Sequence, residues 1–203
     1  PTGCGKSTLL LLLTGKLRIQ GTPVQFSNGK NGYLKSIAYQ TDNALANNLV
    51  INEITLNEDV TKVDRSKLLE IIKGLCLYEE LLRTAESDVD LNLKNYSSDE
   101  KVIELLNLRK VQQFSSGQKQ RFALAKLLYT MTESHQVIAL DEAFNRLDDA
   151  TAKKCIVFVC DYSSRNVKRI VLISTHQVEI AEPFCNKKIS FTQDLNTAYL
   201  HIE

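Results

Sequence analysis

An α/β fold is predicted, with a parallel sheet, flanking helices and a helical stretch inserted into the sheet's sequence. Three observations predict it. The chain opens on Pro1-Thr-Gly-Cys-Gly-Lys-Ser-Thr8, the closing part of a G-x-x-x-x-G-K-[ST] phosphate loop. Two short apolar runs, Val137–Leu140 and Ile170–Ser174, lead into polar or charged residues, as buried parallel strands do at their carboxyl ends. Between the loop and these runs, the apolar residues recur with helical rather than strand spacing.

In chain order, Lys6–Leu17 reads as a helix opened by the glycine-rich loop. Gly21–Gly29 reads as a short strand closed by an Asn-Gly turn, and Lys35–Gln40 as a second strand ending in a polar residue. Asp64 can cap a helix that carries Leu68, Ile71, Ile72 and Leu75 on one face. Ser97 and Glu100 have capping-box spacing ahead of Val102, Ile103, Leu105 and Leu106. Ser115-Ser-Gly117 opens a helix running to about Thr130. A helix over Asp149–Tyr162 joins the two apolar runs into a βαβ unit. Lys188–Phe191 and Thr197–Ile202 read as late strands at a sheet edge. One domain is expected over 1–203, with a helical subdomain over 45–130 inserted in its α/β core.

Composition narrows the function. The 25 basic and 24 acidic residues leave a net charge of +1, which gives no electrostatic reason to expect nucleic acid as a partner. The five cysteines are odd in number, scattered and free of any C-x-x-C pair, which fits neither a disulfide framework nor a zinc site. They read as reduced thiols, hence a cytosolic setting. Leu9–Leu13 is five leucines, far short of the ~20 apolar residues that span a bilayer. The chain begins at Pro1, inside a motif and without methionine, so a truncated N-terminus is expected.

The chemistry sits in three places. In the opening loop, Gly3, Cys4 and Gly5 turn backbone N–H groups towards phosphates, and the helix after them offers its positive end. Lys6 suits β- and γ-phosphate oxygens, and Ser7, followed by Thr8, supplies a hydroxyl for Mg²⁺. In Val137-Ile-Ala-Leu-Asp141-Glu142, an apolar strand delivers Asp141 beside that Mg²⁺ and places Glu142 where it can polarise a water. Alone, this pair is an ordinary strand end; downstream of a phosphate loop it is a site. In Phe114-Ser-Ser-Gly-Gln-Lys-Gln-Arg121, the Ser/Gly cluster at a helix start forms a second anion site.

Together these residues resemble the ATP-binding cassette (ABC) ATPases, whose cores are P-loop NTPase folds. Phe114–Arg121 resembles the family's LSGGQ signature, with Ser115, Gly117 and Gln118 kept and Ser116 in place of a glycine. Gln40 resembles its Q-loop glutamine, Asn145-Arg-Leu-Asp148 its D-loop, and His176 its switch histidine. Asn145-Arg146 depart from the usual Ser-Ala, and Lys126 stands where the family usually has arginine. Six motifs in family order run from Pro1 to His176.

The resemblance implies that ATP with Mg²⁺ is bound by Gly3, Cys4, Gly5, Lys6, Ser7 and Thr8 of one cassette. Ser115, Gly117, Gln118 and Asp148 would contribute across a head-to-tail dimer. Ser7, Gln40 and Asp141 would hold the metal, and Glu142, His176 and Gln40 would serve hydrolysis. It implies a second cassette, identical or homologous, and a transmembrane domain on the same or another chain, with the cassette on the cytoplasmic side of the membrane. Asn52–Leu56 resembles exporter cassettes, so export is expected. The alternatives are a soluble ABC ATPase of translation or DNA repair, and a regulatory cassette that does not turn over.

Overall fold

The computed structural model describes residues 6–13, 37–40, 47–56, 59–91, 93–194 and 197–202, the side chains of 13, 37–40 and 189–202 excepted. The strand and turn expected over Gly21–Gly29, and Gly3, Cys4 and Gly5 of the loop, lie outside them.

Three parallel strands form the described part of the main sheet. β2 (Val137–Asp141) lies between β1 (Ile37–Gln40) and β3 (Ile170–Ser174). Val137–Leu140 is buried, as expected for an apolar run without alternation. The register sets Gln40 opposite Leu140, and Asp141 opposite Ser174. The Gln40 main chain, Asp141 and the turn after Ser174 therefore share the carboxyl edge of the sheet. α1 (Lys6–Leu13) packs on β2.

Helices fill the middle of the chain: α2 (Val50–Thr55), α3 (Arg65–Gly74), α4 (Tyr78–Ser87), α5 (Ser98–Leu108) and α6 (Ser116–Thr130). The local chemistry explains their starts. Asp64 accepts from Lys67 N–H at 3.0 Å, and Leu68, Ile71, Ile72 and Leu75 are fully buried. Ser97 and Glu100 form the expected capping box. Residues 47–50 are tied to the strap before the signature: Val111 N–H donates to Asn48 C=O, and Val50 N–H to Arg109 C=O, each at 3.0 Å.

α6 is the shared element. It packs against α2, α3, β1 and α7 (Asp149–Ser164). The apolar core is accordingly continuous, running from Val50 and Ile54 through Phe122 and Leu124 to Ile138 and Ile156. A short helix, α8 (Val178–Ala181), packs on α7. β4 (Ile189–Asp194) and β5 (Thr197–Ile202) were expected at the sheet edge, but among the described residues they pair antiparallel with each other and not with β1, β2 or β3. The two intervening residues permit a hairpin, which lets each strand satisfy the other locally. Cys76, Cys155, Cys160 and Cys185 are free thiols, and burial pushes the Cys155 thiol up to about 12.

Candidate active site

The first turn of α1 and the carboxyl ends of β2 and β3 meet. Ser7 Oγ donates to Asp141 Oδ1 at 3.1 Å. Glu142 Oε1 lies 2.9 Å from His176 Nε2. Lys6 Nζ lies beside the same ring, 3.4 Å from Nε2 and 3.5 Å from Nδ1. Lys6, Ser7, Asp141, Glu142 and His176, drawn from three separate parts of the sequence, thus form one polar cluster. Thr8 is exposed on the same first turn.

The backbone at Glu142 is unusual. Its φ is 55°, a left-handed conformation that costs a non-glycine residue about 1–3 kcal/mol. Its N–H donates to Ser174 C=O at 2.9 Å, the ladder bond of the last β2–β3 pair, Asp141 with Ser174. Its C=O accepts from Gln120 Nε2 at 2.8 Å and from Asn145 N–H at 3.3 Å. The turn is also tied to the next strand end: Thr175 Oγ1 reaches Asn145 Oδ1 at 3.5 Å and accepts from Gln177 N–H at 2.9 Å.

The signature opens α6. Ser115 caps it, accepting from Gln118 N–H at 3.2 Å while Gln118 Oε1 accepts from Ser115 N–H at 3.0 Å. Gln118 Nε2 donates to Glu80 Oε2 at 3.1 Å, so this side chain supports the helix start from within. Arg121, 5% exposed, holds the same carboxylate through both Nη atoms and donates to Cys76 C=O at 2.8 Å. Asp148 caps α7, accepting from Thr151 N–H at 3.0 Å. The Thr151 bonds hold its carboxyl below the usual range.

The residues present fit Mg²⁺ with a phosphate ligand. The Ser7 hydroxyl and Asp141 carboxylate are hard oxygen donors within hydrogen-bond distance of each other. Among the described residues no three His, Cys, Asp or Glu side chains gather into a cation site. Mg²⁺ is held by a few hard protein oxygens, its shell completed by phosphate oxygens and water. Lys6 supplies the fixed positive charge beside it.

The ABC transporter family profile matches residues 1–145. The chain belongs to the ABC transporter family. The cassette is 28% identical over 190 residues to the ATP-binding cassette transporter abc1 of Schizosaccharomyces pombe, covering 93% of this chain and 11% of that protein. It is 27% identical over 206 residues to the methionine import ATP-binding protein MetN of Streptococcus pyogenes, covering 92% of this chain and 50% of that one. The chain therefore spans half or less of the length of these relatives. A dimeric structure of a bacterial ABC transporter cassette has the same fold, with a TM-score of 0.58 and 21% identity over 93% of this chain and 77% of that one.

Sequence reasoning named Gln118 but passed over Gln120, which is 3% exposed and bonded at both ends of its amide. A signal existed. Gly117, Gln120 or Arg121, and Leu124 follow helical spacing, which puts polar residues inside an apolar stripe.

Proposed function

We propose that this cassette hydrolyses ATP and, with a second cassette and a transmembrane domain, drives a substrate across a membrane. The convergence of Lys6, Ser7, Asp141, Glu142 and His176 carries this reading. The water oxygen attacks the γ-phosphorus, the bond from it to the β–γ bridging oxygen breaks, and ADP and inorganic phosphate separate. Glu142 orients the water and takes its proton. Lys6 balances charge on the β- and γ-phosphates, and His176 donates to the γ-phosphate. Ser7 and Asp141 would hold Mg²⁺, joined by Gln40, whose main chain ends β1 beside them. The metal supplies charge stabilisation for phosphate oxygens.

Gly3, Cys4 and Gly5 complete the cradle in this reading. Ser115 and Gly117 of the partner cassette close over the γ-phosphate, with Gln118 and Asp148 fixing the helix starts that do so. A dimeric cassette among the structural neighbours is in line with a pair of cassettes, and the head-to-tail arrangement is what the family resemblance implies. A methionine import ATP-binding protein is among the relatives, so the expectation of export from Asn52–Leu56 finds no support, and the proposal stops at transport. Among the described residues no helix is long and apolar enough to cross a membrane, so the reading assigns that task to another segment or chain.

The test is phosphate release and membrane fractionation of the intact protein, with Asp141→Asn alongside. MgATP turnover in the membrane fraction, abolished by the substitution, is the expected result. Turnover that survives Asp141→Asn contradicts the hydrolytic reading. Turnover confined to soluble protein with no membrane partner contradicts the transport reading.

A further inference from the structure

Gln120 uses both ends of its amide on one turn. Nε2 donates to Glu142 C=O at 2.8 Å, and Oε1 accepts from Arg146 N–H at 2.9 Å. Three residues earlier, on the same face of α6, a Cβ added to Gly117 would lie 3.0 Å from Arg146 O and 3.4 Å from Leu147 Cδ2. The start of the signature helix therefore grips the 142–147 turn at two points: a close packing contact and a part-buried pair of hydrogen bonds.

Glu142 needs that grip. Its φ of 55° is not one that its own side chain favours. Ser174 C=O fixes the peptide group on one side of it, and Gln120 Nε2, the shorter of two donors beside Asn145 N–H, fixes the one on the other. With both peptide groups held, the side chain leaves the backbone in one direction, which brings Oε1 to 2.9 Å from His176 Nε2.

We propose that Gln120 is the positioning residue of the hydrolytic step: it holds Glu142 in its left-handed conformation and makes that residue one rigid unit with the start of the signature helix. The inference rests on the reading of Glu142 as the group that orients the water. It has a consequence in a head-to-tail pair. The helix that closes over the partner's nucleotide is the helix that aims the carboxylate at the cassette's own nucleotide. Engagement at one site then sets the geometry at the other through a single side chain. Both ends of the Gln120 amide are taken by main-chain groups of the 142–147 turn, so its loss acts on turnover and spares binding.

The experiment compares the intact protein with Gln120→Glu, Gln120→Met and Glu142→Gln variants. It measures kcat, KM and the equilibrium dissociation constant for MgATP, with melting as a check on folding. Gln120→Glu keeps the shape and the acceptor towards Arg146 but replaces the donor towards Glu142 by an acceptor. Misaiming a catalytic group by about 1 Å costs on the order of a hundredfold. Both Gln120 variants are therefore expected to lose about ten- to a hundredfold in kcat, with ATP affinity close to that of the unsubstituted protein. Unchanged kcat in Gln120→Glu overturns the proposal. A weakening of ATP binding that parallels the loss of turnover also overturns it, because Gln120 would then belong to the nucleotide cradle. If Gln120→Met fails to fold, Gln120→Glu decides. Full turnover in Glu142→Gln removes the premise about Glu142. An inactive Glu142→Gln beside a fully active Gln120→Glu removes only the inference about Gln120.

Discussion

Glu142 Oε1 sits 2.9 Å from His176 Nε2, joining the ends of two neighbouring parallel strands across the carboxyl edge of the sheet. The contact spans more than thirty positions of sequence, yet it follows from register. Asp141 is opposite Ser174, so the residues that follow each strand emerge side by side. Ser7, from the start of α1, meets Asp141 at the same edge. Open α/β sheets bind ligands at this edge because the strand ends there release functional side chains into a crevice.

Lys6→Ala is expected to weaken ATP binding directly. A charge-assisted hydrogen bond contributes about 1.5–3 kcal/mol, roughly ten- to a hundredfold in Kd. Titration of nucleotide into the intact protein checks this, and an unchanged Kd speaks against Lys6 as the phosphate contact.

Ser115→Arg in one subunit of a mixed dimer is expected to impair the partner's site more than its own. Ser115 is exposed at the N-terminus of α6, where a long side chain obstructs closure over a facing phosphate. Site-resolved turnover in the mixed dimer reads it. Loss confined to the mutant subunit's own phosphate loop contradicts the head-to-tail arrangement.

Lys126→Met is expected to destabilise the fold. Glu53 is 2% exposed and accepts from Lys126 Nζ at 2.8 Å and from Asn48 Nδ2 at 3.0 Å. Removing the cation leaves a buried carboxylate with only an amide partner, at a cost of about 2–3 kcal/mol. This is below the value for a fully buried pair because the Lys126 side chain is 32% exposed. Lys126→Arg keeps the charge and should be near neutral. Denaturant unfolding separates the two substitutions, and equal stability of Lys126→Met and the parent sinks the idea.

Gly74→Ala is expected to cost about 1–3 kcal/mol through overpacking. A Cβ there would lie 2.1 Å from the Phe158 ring, which packs against the core and stacks on Tyr162 at 5.4 Å. Phe158→Leu should recover part of the loss in the double variant. Additive losses in that thermodynamic cycle would show that the ring is not the obstacle.

Much of this was legible in the sequence, for reasons of scale. Asp64, Ser97 and Ser115 cap helices through bonds that span three residues, so sequence spacing reveals them. The buried run Val137–Leu140 announces itself by lacking alternation. Asp141 and Glu142 are legible because they end an apolar strand downstream of a phosphate loop, and His176 through its resemblance to the family's switch histidine. The hairpin of β4 and β5 was misplaced because strand character does not say which partner a strand takes. Gln120 escaped for a different reason. Its partners are backbone groups of residues 142 and 146, and a side chain bonded only to backbone leaves no complementary residue type in the sequence. The left-handed backbone of Glu142 likewise has no glycine to mark it.

Glu142→Gln tests the central claim most directly. The substitution keeps the size and hydrogen-bonding reach of the side chain and removes the charge that orients the water. Single-turnover and steady-state phosphate release from the intact protein, measured with ATP binding on the same sample, is the measurement. The account predicts ATP affinity close to that of the unsubstituted protein and turnover reduced by about a hundredfold or more, the scale of a general base. ATP should then hold two cassettes together. Turnover equal to that of the parent protein, with the same ATP affinity, would contradict the role of Glu142 on which the account stands.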